Sequence, residues 1–83
     1  LRIVFSDKLQ SAREMRCQVR FLGDEAYRNF ATSESATLEG RKAAFLWFHE
    51  ELSKAFLLAA KGQDRGLQAL AQEFVEVVKW LHY

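Results

Sequence analysis

Two histidines, one cysteine and a spaced row of arginines are the side chains in this chain whose types bear on chemistry. The run His49-Glu50-Glu51-Leu52-Ser53 begins like the helix of a zinc protease. That motif sets two histidines four residues apart so that both ligands leave one helix face. Ser53 holds the second position, so no zinc site of that kind is expected. Phosphoryl transfer from a histidine calls for a cation beside it, yet Lys54, five residues on, points about 140° away on a helix. His49 is instead expected at the border of a core, beside Phe45, Leu52 and Phe56. Glu50 and Glu51 diverge by about 100° as helical neighbours and so do not converge as an acid and a base.

Cys17 is the only cysteine, which excludes an intrachain disulfide and a cysteine-based zinc site and favours a reducing compartment. Arg13, Arg16 and Arg20 stand near it, but no histidine is close in sequence to act as a base, and a passive role is expected. No glycine-rich phosphate loop, serine elbow or cofactor fingerprint occurs, so no enzymatic role, metal or cofactor is expected.

Arg13, Arg16 and Arg20 follow i, i+3, i+7 spacing and form a ridge, with Lys8 one or two turns earlier. Guanidinium forks grip carboxylates or phosphates. The ridge therefore suits salt bridges to Asp24, Glu25 and the glutamates of neighbouring helices, an acidic protein partner, or a nucleic acid backbone. Base-stacking aromatics beside it are limited to Tyr27 and Phe21. A net charge of +1 from twelve basic and eleven acidic residues gives no global pull toward nucleic acid or anionic membrane.

These residues need elements to position them. The chain has no proline and four glycines, so long helices are permitted. Ala12, Met15, Val19, Leu22, Ala26 and Phe30 recur at three- and four-residue steps, predicting a helix over 7–30 that Gly23 frays or breaks. Ser33 or Ser35 is the expected cap of a second helix over 35–61, whose inner face reads Leu38, Phe45, Phe48, Leu52, Ala55, Phe56 and Ala59. Lys61-Gly62 ends it, and Asp64 caps a third helix over 64–83 with Leu67, Leu70, Ala71, Phe74, Val77, Val78 and Leu81 on one stripe. Residues 1–6 read as a tail or short strand. The expected fold is a single all-α domain: three long helices in an antiparallel bundle, the second central, that association with another chain would complete.

With 49% hydrophobic residues in 83, apolar side chains remain after the seam is filled. Trp47 and Leu58 share one secondary stripe of the second helix, Leu46 and Leu57 another. Trp80 projects with Ala69 and Tyr83 opposite the third helix's stripe, and Phe21 points away from that of the first. Tryptophan and tyrosine are favoured at interfaces, so a protein partner or a homo-oligomer is expected, as for an adaptor or regulatory subunit. The alternative is a small nucleic-acid-binding regulator using the arginine ridge. The stretch 43–60 carries His49, Glu50, Glu51 and Lys54, which argues against a membrane span, and the start lacks a secretory pattern, so a cytoplasmic protein is expected. An initial Leu in place of Met is expected of a piece of a longer chain.

Overall fold

A computed structural model describes residues 2–30 and 37–82, with only the backbone of Asn29. Three helices make up the architecture: α1 Arg2–Leu22, α2 Leu38–Ala60 and α3 Arg65–His82, with a 3₁₀ segment Gly23–Asn29 after α1. The order is up, down, up. Positions along α1 and α3 rise together, as Arg2 pairs with Asp64, Arg13 with Glu73, and Arg20 lies over Trp80. Along α2 and α3 they run oppositely, with Phe56 against Phe74 and Glu50 near His82.

α1 begins earlier than expected. The tail or strand predicted for residues 1–6 is helical from Arg2, because Phe5 is buried and stacks on Phe56 at 4.2 Å between ring centroids. Phe5, Leu9 and Ala12 extend the apolar stripe backward at four- and three-residue steps, and all three are buried. The α-helix also stops earlier, at Leu22, because Gly23 adopts φ +63°, a left-handed conformation that glycine enters without a Cβ clash. The tighter 3₁₀ turn that follows rotates the chain, so Ala26 and Tyr27 enter the core while Leu22, expected on the inner stripe, is exposed.

Thr37 caps α2, accepting a hydrogen bond from the Gly40 N–H at 3.0 Å. The predicted caps Ser33 and Ser35 lie outside the described residues. At the far end Gly62 takes φ +79°, and Asp64 Oδ1 accepts from the Leu67 N–H at 2.8 Å, as the sequence pattern anticipates.

α3, not α2, lies between the other two helices, and its predicted stripe is the most deeply buried: Leu67, Ala71, Phe74, Val77, Val78 and Leu81. α2 buries Phe45, His49, Ser53, Phe56 and Ala60, a stripe rotated about 60° from the expected one, which leaves Phe48, Ala55 and Ala59 exposed. His49 and Ser53 are able to go inside because each satisfies itself within the helix. The His49 Nδ1–H donates to the Phe45 carbonyl and the Ser53 hydroxyl to the His49 carbonyl, both at 2.9 Å. Among the described residues no helix is long and apolar enough to cross a membrane.

Candidate protein interface

Each turn of α2 advances 3.6 residues, so the residues diametrically opposite the buried His49 are Trp47, Glu51, Lys54 and Leu58, all within about 40° of that line. Trp47 is 64% exposed and Leu58 74% exposed. They lie three turns apart, about 16 Å, on one side of the rod, as the sequence predicts. Between them Lys54 Nζ stands 3.4 Å from Glu51 Oε1. The face is therefore apolar at both ends and zwitterionic in the middle.

The other residues expected on an interaction surface are dispersed. Leu46 is partly buried and packs against the core. Leu57 lines a cleft of about 550 Å³ between α2 and α3, beside Ser53, Val75 and Val78, with Glu50 and His82 at its rim. Trp80 is only 37% exposed and is covered by the Arg20 guanidinium, 5.2 Å from its ring centroid. Phe21, 83% exposed, stands alone at the end of α1, on the side opposite its buried stripe. Tyr83 lies outside the described residues.

The arginine ridge faces α3. Arg13 is hydrogen-bonded to Glu73, and Arg20 covers Trp80; among the described residues only Arg16 has no charged or aromatic partner. With Arg2 on Asp64, this edge of α1 straps α1 to the central helix α3. Such exposed pairs contribute little each, about 0.2–1 kcal/mol, but they fix the register between the two helices. Asp24 and Glu25 take other cations, Lys42 at 2.8 Å and Arg28 at 2.7 Å. The Arg28 hydrogen bond holds the Glu25 carboxyl below its ordinary pKa. Tyr27 is buried edge-on to Phe45, so it offers no surface for base stacking. Burial, reinforced by Asp24, raises its hydroxyl pKa.

Among the described residues, the side chains that the sequence patterns single out for chemistry are not brought together. His49 is 5% exposed, stacked on Phe45 at 3.9 Å, and its pKa is lowered chiefly by burial. Lys54 points to Glu51 on the opposite side of the helix. Glu50 and Glu51 diverge, one toward His82 and one toward Lys54. Cys17 is exposed and free. Among the described residues no three metal-type ligands cluster.

His49, expected at the border of the core, goes fully inside, and the burial of Ser53 is not anticipated because a hydropathy pattern assigns a serine to the surface. The signal that would have found them is the i, i+4 relation Phe45–His49–Ser53, which supplies each polar group with a carbonyl one turn back. No protein family, no curated protein and no solved structure matches this chain.

Proposed function

We propose that this chain is a protein-interaction module, an adaptor or regulatory subunit, that docks through the outer face of α2. The observation that carries this reading is the exposure of Trp47 and Leu58 on one line opposite the buried stripe, where the chain's own helices do not reach. Burying a large apolar side chain contributes roughly 1.5–3 kcal/mol. Two such anchors contribute roughly 3–6 kcal/mol before association costs are met, against the about 8 kcal/mol net that micromolar association requires, so the groups around them must add to the contact. Trp47 is also the residue type most often dominant in interface energetics.

A photoreactive residue at position 58, compared in cells with one at Gln10 on the exposed side of α1, tests the reading. Position 58 is expected to form discrete adducts with a protein, of this sequence or another, while position 10 gives none. Equal or absent crosslinking at both positions overturns the docking role of α2.

A further inference from the structure

We propose that the outer face of α2 pairs with the same face of a second copy of this chain, the two helices antiparallel about a twofold axis that passes between Leu52 and Ser53 of each. This rests on the reading of α2 as a docking face and adds to it the occupant and the register.

A twofold interface must be self-complementary: where residue i meets residue j of the partner, j must meet i. Trp47 and Leu58 are centred between Leu52 and Ser53, and so are Glu51 and Lys54. A single antiparallel register therefore sets Trp47 against the partner's Leu58 and, at the same time, Glu51 against the partner's Lys54. The two reciprocal contacts follow by symmetry.

The steps from 47 to 51, 54 and 58 are four, three and four residues, the spacing of a seam along which two helices stay in contact. A parallel pair would instead oppose Glu51 to Glu51 of the partner subunit and Lys54 to Lys54 of the partner subunit, which like-charge repulsion disfavours. The charge pattern thus selects both the partner and the direction. Within one chain the Glu51–Lys54 contact is 3.4 Å and solvent-exposed, which leaves each group capacity for a second, intermolecular partner. The exposed apolar pair on α1 lacks this pattern: between Ile3 and Phe21 that side carries Asp7, Gln10, Glu14 and Cys17, with no basic residue to oppose the acidic ones.

Sedimentation velocity on four purified proteins decides the matter, with circular dichroism confirming that each is folded: the parent chain, Glu51→Lys, Lys54→Glu, and the double exchange Glu51→Lys/Lys54→Glu. The parent is expected to dimerise. Each single reversal opposes like charges at two symmetric contacts and is expected to weaken the dimer by at least about tenfold. Mixing the two single variants is expected to restore a one-to-one heterodimer, because every charged contact is again between opposites. The double exchange is expected to dimerise alone.

A parent that stays monomeric up to its solubility limit overturns the proposal, as do single variants that dimerise like the parent or a mixture that fails to recover. Trp47→Glu separates the two levels. If it abolishes the dimer while the charge mixture does not recover, α2 is the docking face and the register is wrong. If the dimer survives Trp47→Glu, the docking face itself is wrong.

Discussion

The two faces of α2 mix polar and apolar groups on both sides. Facing the core are a histidine and a serine among two phenylalanines and an alanine; facing outward are a tryptophan and a leucine. The inner polar groups are stable there because each finds a carbonyl four residues back, which removes most of the desolvation penalty an unpaired group would carry. The outer apolar groups have no such local remedy. Only another surface can take Trp47 and Leu58 out of water. α3 shows the opposite case: its apolar stripe and its buried stripe coincide, so all its large burial is satisfied within the chain. Of the two helices, the one with mismatched faces is the one on which the proposed docking rests.

The largest effect that would test this contrast is at Phe56, which is buried between Phe5 and Phe74, 4.2 and 4.8 Å away between ring centroids. Phe56→Ala is expected to lower the unfolding free energy by about 3–5 kcal/mol, measured by urea denaturation of dilute protein. An equal loss for Trp47→Ala under the same conditions would erase the distinction between the faces.

Next comes the start of α3. Asp64→Ala removes the cap on the Leu67 amide and the anion facing Arg2, and is expected to destabilise by about 1–2 kcal/mol. Asp64→Asn, which keeps a capping oxygen, should recover most of that loss in thermal unfolding. No recovery would place the effect in the Arg2 pair and not in the cap.

A third measurement sharpens the inner face alone. Burial lowers the His49 pKa below its ordinary 6.5, so the folded chain resists a proton that the unfolded chain accepts. Its contribution is fully present above the unfolded pKa, and stability is expected to fall as pH drops below about 6.5. His49→Phe keeps a ring against Phe45 and Phe74 and is expected to flatten the unfolding free energy over this pH window. A slope that persists in His49→Phe would assign it to another group.

The smallest expected effect is on the outer face. In dilute, monomeric protein Trp47→Ala and Leu58→Ala should each change stability by no more than about 0.5 kcal/mol, since neither touches the core. A stability that rises with protein concentration in the parent, but not in these variants, would be the thermodynamic signature of a partnered surface.

Much of this fold is dictated by local pattern. α3, its apolar stripe, its Asp64 cap and the break at Gly62 are readable from the sequence because stripe, cap and stop all agree there. The three-helix, all-α architecture follows from the same periodicity and from the absence of proline. The outward position of Trp47 and Leu58 is equally local, since eleven residues bring a helix back to nearly the same angle.

What the sequence left open was decided by contacts between distant residues. Residues 2–6 join α1 because Phe5 finds Phe56, some fifty positions away, and a short apolar run by itself is as much a strand as a helix. The stripe of α2 rotates because α3 occupies the centre of the bundle and draws His49 and Ser53 inward, where their self-satisfied polar atoms tolerate burial. The arginine ridge becomes a strap once α3 lies alongside it, and Trp80 becomes half-covered once Arg20 reaches it. Helical angle is a property of a chain segment, which is why sequence determined which residues share a face. Which face meets which neighbour depends on the direction of each helix relative to the others, and only the tertiary packing of all three fixes that.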